Sequence, residues 1–200
     1  SSWFKSPGAP GGTSAPDAGA RDGGGSASAA DVDISICDAD NGPFTHEVNH
    51  PYFPLEVGSV HVLEGLEGGT SMAGFRATVL EETAEVGGVT VRIVEKQDTI
   101  DDTSPPEHVF YAQAPDGTVC AFGEDEGADG DLEWEAGVGG YLATVFMPAS
   151  PKVGMVFEAS HGPDAIERSE ITHVGEPWET PAETFDDTLT ILEEGPSIKR

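Results

Sequence analysis

Residues 46–50 read His46-Glu47-Val48-Asn49-His50, the spacing of a zinc-hydrolase motif. Two histidines four apart bind a metal from one face of a helix, and the glutamate between them activates the metal-bound water. That chemistry needs the helix. Here Gly42 and Pro43 stand just upstream and Pro51 follows at once. A proline disfavours helical backbone in the residue before it, so His50 is pushed toward an extended conformation. Gly42 and Pro43 leave no room for the preceding helical turns. The third histidine of the longer protease motif is also missing, since Leu55 and Glu56 stand where it would fall. His46, Glu47 and His50 remain as candidate ligands of a non-catalytic metal site, with His61 as a further donor. The plainer reading is a set of histidines at the rim of a loop.

Clustered carboxylates around glycine turns suggest a second chemistry, a structural calcium. Residues 124–133 and 38–42 both have this character. Neither completes an EF-hand loop: counting from Asp125, the third position is Gly127 and the twelfth is Ala136. A solvated acidic hairpin is the expected state of residues 124–133. Glycoside hydrolysis needs two carboxylates across a groove, and with 37 acids the sequence singles out no pair. There is no G-x-S-x-G elbow and no phosphate-binding glycine loop with its lysine. Trp134, Trp178 and Tyr141 could line a pocket, although isolated aromatics in a β domain more often pack in the core.

These groups must be positioned by a chain of 200 residues that is 37% apolar and 8% aromatic, enough for one core. The 37 acids against 9 lysines and arginines give a net charge of −28. Such a balance excludes phosphate neutralisation on a nucleic acid and a polybasic grip on an anionic membrane. No apolar run is long enough for a transmembrane segment. The acids suit a soluble, salt-adapted surface. Cys37 and Cys120 are the two cysteines. They would close one long loop in an oxidising compartment, or stay as two thiols in a reducing one.

Residues 1–30 hold a Gly/Ala/Ser/Pro tract expected to be a flexible, disordered linker. Residues 31–200 read as a single β domain. Period-two alternation predicts about nine short strands, near residues 59–63, 75–79, 89–94, 109–111, 118–122, 142–147, 155–158, 170–174 and 188–192. In residues 88–94, Val89, Val91 and Ile93 share one face while Thr90 and Arg92 face the other way. Glycine pairs and Asp-Gly steps supply turns at Gly68-Gly69, Gly87-Gly88, Asp116-Gly117, Asp129-Gly130 and Gly139-Gly140. One helical turn is expected at residues 163–168. The fold class is all-β: an antiparallel meander forming a curved sheet, half-barrel or barrel. Pro51 and Pro54 stiffen an extended segment whose Tyr52, Phe53 and Leu55 are expected to plug one end of it.

Four segments together resemble an uncharacterised family of bacterial secreted, lipoprotein-like β domains. They are residues 44–58 with His50-Pro51-Tyr52-Phe53-Pro54-Leu55 at their centre, Tyr111-Ala112-Gln113 followed by residues 116–125, Trp134-Glu135-Ala136-Gly137-Val138 with residues 147–151 and Val153-Gly154, and residues 180–187, which begin Thr180-Pro181-Ala182-Glu183-Thr184-Phe185. The last is similar to a Pro-Ala-Gly-Thr-Phe turn, with Glu183 in place of the glycine. The linker, of the kind that tethers a folded domain to a cell-envelope anchor, makes an extracellular or cell-envelope location the expectation, and the resemblance implies one or two strands past Arg200. It also implies that the family cysteine expected near Thr188 is absent, and it carries no catalytic residues. The expected function is a non-enzymatic exported module that binds a small ligand or an envelope protein, or acts as a scaffold, without cofactor. The alternative is a metal-dependent hydrolase or metal-binding protein built on residues 46–50.

Overall fold

The computed structural model describes residues 31–67, 71–100, 103–125 and 132–198. The tract read as a linker, the Gly68-Gly69 and Asp129-Gly130 turns, and the middle of the acidic run lie outside them. Among the described residues, two short 3-10 turns, Ile34–Cys37 and Ala39–Asn41, precede twelve strands. Nine match the expected segments: β3 Val60–Glu67, β4 Ser71–Val86, β5 Val89–Asp98, β6 Glu107–Gln113, β7 Val119–Asp125, β9 Thr144–Met147, β10 Val156–His161, β11 Ala165–Glu179 and β12 Thr184–Ile198. Three more are short: β1 Asn49–His50, β2 Phe53–Pro54 and β8 Leu132–Glu135. No helix among the described residues is long and apolar enough to cross a membrane.

Every named strand pair is antiparallel. The large sheet runs β3-β4-β5-β6-β7-β8, with β9 also on β7, and stays open rather than closing into a barrel. A second sheet, β10-β11-β12, follows it, and β1-β2 forms a small hairpin. The turn from β4 to β5 is Gly87-Gly88, both at positive φ (58° and 79°), as a two-residue turn matched to strand twist requires. The helical turn expected at residues 163–168 is absent. Gly162 N–H donates to Ala165 C=O at 3.0 Å, and β11 begins at Ala165 because pairing of Ile166 with His161 takes that backbone into the sheet.

β7 is buried along its whole length, so the centre of the large sheet is covered on both faces. On one, Val91, Phe110, Ala112, Cys120 and Phe122 pack with Cys37, Phe157 and Ile171. Cys37 and Cys120 are joined in a disulfide across 83 residues, which decides between the two states left open by the sequence. On the opposite face, Val94, Val109, Tyr111 and Ala121 meet Val48, Phe53 and Leu55 from the β1–β2 hairpin. Phe53 lies 5.2 Å from the Tyr111 ring and 4.5 Å from that of Phe146, so the hairpin is the apolar plug. Each such side chain contributes roughly 1.5–3 kcal/mol when fully buried.

Two irregularities aim particular side chains. Between the Val79–Val94 and Thr83–Arg92 pairs, β4 carries two more residues than β5. The carbonyls bulged outward there are taken by Arg92, whose Nη1 donates to Leu80 O and Glu81 O at 3.0 Å. Arg92 is therefore buried, not solvent-facing as alternation predicts; Thr90 is exposed as expected. In β7 the register shifts between the Phe110–Gly123 and Tyr111–Ala121 pairs, leaving Phe122 as the extra residue. That bulge reverses the alternation beyond it.

Candidate functional site

Residues 46–50 cross the plugged face as an extended strap. Thr45 and Gln113 exchange backbone hydrogen bonds of 3.0 and 2.8 Å. Arg92 Nε donates to His46 O at 3.3 Å, Asn49 N–H donates to Gln113 Oε1 at 3.0 Å, and Leu55 N–H donates to Val48 O at 2.9 Å. His50 is 1% exposed. Its Nδ1 accepts from Tyr52 N–H at 3.2 Å, so the neutral ring carries its proton on Nε2 and donates it to Pro148 O at 3.0 Å. Burial holds its pKa below the usual histidine value of 6.5.

Both nitrogens of His50 are thus committed to backbone, while Glu47 is exposed on the neighbouring stretch. His46, Glu47 and His50 do not share a helical face, and His61 is exposed on β3. Among the described residues no group of three or more His, Cys, Asp or Glu is arranged to hold a metal ion. The 38–42 segment forms a 3-10 turn, its Asn41 side chain donating to Ser35 O. Glu124 and Asp125 are not in a solvated loop: both lie in β7 and are buried.

A row of polar side chains that no sequence motif marks lies across β5, β6 and β7. His108 Nδ1 is 2.9 Å from Asp125 Oδ1, and its Nε2 is 3.6 Å from Glu95 Oε2. The backbone pairs Glu95–His108 and His108–Asp125 place the three side by side. Asp125 also accepts from His108 N–H at 3.0 Å, so its buried oxygens are hydrogen-bonded. The row is a polar clasp at one end of the disulfide face.

The plugged face of the large sheet continues past the strap into a cleft of about 490 Å³, within the range of small-molecule sites. Tyr111, Ala121, Val109 and Phe146 form its floor, and Trp134 and Glu124 stand on the β7–β8 side. The opposite wall is β10–β12, with Ser160, Glu167, Arg168 and Ser169 and the Glu193-Glu194 pair. Trp134 is braced by stacking on Tyr141, ring centroids 6.2 Å apart, and Phe146 is wedged between Phe53 and Tyr111. Glu124 sits in the cross-strand row Val109–Glu124–Trp134 and is 4% exposed. Burial among those apolar neighbours raises its pKa above the ordinary carboxylate value, against the pull of Lys96.

The Phe122 bulge explains why Glu124 faces this cleft. Simple alternation from Cys120 through Phe122 would put it on the disulfide face. The one signal in the sequence was Trp134, already a candidate for lining a pocket; Trp178, the other tryptophan so considered, is instead 62% exposed on the β11–β12 hairpin. Comparison with protein-family models, curated proteins and solved structures gave no match.

Proposed function

We propose that this protein is a non-enzymatic binding module of the cell envelope or extracellular space, and that the cleft between its two sheets receives a small ligand. The observation that carries the reading is the cleft itself: about 490 Å³, with braced aromatic rings beside a few convergent polar groups. A carboxylate kept buried there against its own ionisation is the kind of cost that binding sites bear. Export is supported by the disulfide, which persists in oxidising compartments, and by the resemblance to secreted bacterial β domains.

A fragment library screened by ligand-observed NMR tests the binding role. Hits should perturb the Trp134 indole resonance and disappear in Ala159→Trp, a substitution at the exposed wall of the cleft that leaves its floor intact. Hits unaffected by Ala159→Trp, or no hits at all, overturn the reading. A hydrolytic activity abolished by Glu47→Gln would overturn its non-enzymatic part. Export predicts that both cysteines resist alkylation in freshly lysed cells of the source organism; free thiols there contradict it.

A further inference from the structure

We infer that β3 is an interaction edge whose partner is a second copy of this chain, joined strand to strand about a two-fold axis at His61. The cleft plays no part in this. A strand at the end of a sheet presents a row of unpaired backbone N–H and C=O groups, and natural proteins blunt such ends with charge, proline, bulges, short length or a covering segment. The ends of the two larger sheets differ in those terms. β10 is covered where Asp31 bridges Val156 and Val32 N–H donates to Val156 O at 2.8 Å. β12 meets β11 with four register irregularities, its central residues are flanked by Asp186-Asp187 and Glu193-Glu194, and Pro196 stands near its end. β8 and β9, at one end of the large sheet, are only four residues long. At the other end, β3 has none of these guards. It pairs with β4 over eight consecutive residues without a register shift, and no other described strand pairs with it. From Val57 to Leu63 the chain carries no Asp, Glu, Lys, Arg or Pro.

Backbone direction and side chains both suit self-pairing. Ser59 C=O accepts from Val79 N–H of β4 at 3.0 Å, so by alternation His61 and Leu63 also turn their backbone groups to β4, while Val60 and Val62 turn theirs outward. A two-fold at His61 sets Val60 of each copy opposite Val62 of the other, and outward-facing residues so placed exchange two hydrogen bonds per pair. Val60 and Val62 are 48% and 52% exposed on one face, and the pairing gathers four such valines across the axis. Ser59 falls opposite Leu63, so no carboxylate faces another from Ser59 to Leu63. The same operation on β12 about Thr190 would set Asp186 against Glu194 and Asp187 against Glu193. Like charges directly opposite are destabilising, which leaves self-pairing to β3. A basic partner would find its acids elsewhere; this uncharged valine edge matches its own copy. The net charge of −28 opposes the approach of two copies, a repulsion that salt screens. The contact is short, so the dimer is weak and reversible.

Sedimentation velocity of the full chain at neutral pH, from about 10 µM to about 1 mM, tests the pairing. A monomer–dimer equilibrium should appear and tighten as salt is raised from about 20 mM to about 0.5 M. Val62→Lys and Val60→Glu, both at exposed positions, should each weaken dimerisation about tenfold or more and leave the melting temperature of the dilute protein unchanged. Mixing these two variants should restore the dimer, because the register sets position 62 of one copy opposite position 60 of the other. Leu192→Lys, at an exposed position of β12, should have no effect. In the wild type, the amide protons of Val60 and Val62 should exchange more slowly at high protein concentration than at low. A chain that stays monomeric throughout, a dimer that weakens with salt or is indifferent to Val62→Lys, a variant mixture that stays monomeric, or exchange independent of concentration overturns the inference.

Discussion

Two stretches of the same sheet face differ in how their polar groups are used. Along the strap, His50, Gln113, Arg92 and the backbone of residues 45–50 are tied by direct hydrogen bonds to neighbouring chain. Beside it, the cleft gathers carboxylates and aromatic rings from both sheets along its walls. The region with a catalytic-looking motif is the one that holds the fold together, and the region without a motif is the one we propose receives a ligand. Residue type and spacing identify possible chemistry; whether a group is free to perform it depends on what its hydrogen-bonding atoms already hold.

The contrast can be broken most forcefully at the plug. Phe53→Ala removes a ring packed on Tyr111 and Phe146 and should cost about 3–5 kcal/mol in urea unfolding. A loss under about 1 kcal/mol would mean that the strap is not structural. His50→Ala comes next. It leaves Pro148 O and Tyr52 N–H without their partner and should cost roughly 2–3 kcal/mol.

The same histidine sets a pH dependence. Folded His50 binds its proton less readily than the unfolded chain, where the ordinary value is 6.5. As pH falls below 6.5 the unfolded state takes up the proton first, so stability drops and then levels off below the folded pKa. Unfolding midpoints measured through this range should show that slope in the wild type and lack its His50 component in His50→Ala.

At the cleft the sign reverses. Because the folded pKa of Glu124 is raised, its protonated form favours folding, and stability is lost as pH rises from the ordinary value of 4.5 through the folded pKa. Glu124→Gln should therefore stabilise the protein at neutral pH, by less than about 2 kcal/mol, and change little below pH 4.5. Thermal melts at the two pH values check this; destabilisation at neutral pH would place Glu124 with the structural groups of the strap. The smallest effect belongs to Glu47. Its exposed side chain should accept Glu47→Gln within about 0.5 kcal/mol, measured in the same unfolding experiment.

Much of the architecture was legible because it depends on period-two burial and turn chemistry, both local. All nine alternating segments are strands, and Gly87-Gly88 forms the turn its composition suggests. Two-residue strands such as β1 and β2 offer no period to detect, and Leu132–Glu135 was hidden by acids on either side. The failure of residues 46–50 as a helical zinc motif was also readable, from Gly42, Pro43 and Pro51. The cleft was not. Glu124 is distinguished from 36 other acids by cross-strand neighbours 15 and 10 residues away and by the Phe122 bulge. Arg92 was misplaced for a related reason: its partners are carbonyls exposed by a bulge in a different strand.

The β4 bulge bears on what lengths of chain this fold can accept. Its two additional residues keep Val79 and Thr83 on one face, so the strand's alternation passes through unbroken. Removing a single residue from 80–82 would invert one half of β4 relative to the other, turning either Ala77 and Val79 or Ala84 and Val86 out of the core. Removing two would preserve both faces and strand a buried guanidinium. Length variation at this point should therefore come in pairs, and a pairwise loss should be accompanied by replacement of Arg92 with an uncharged residue.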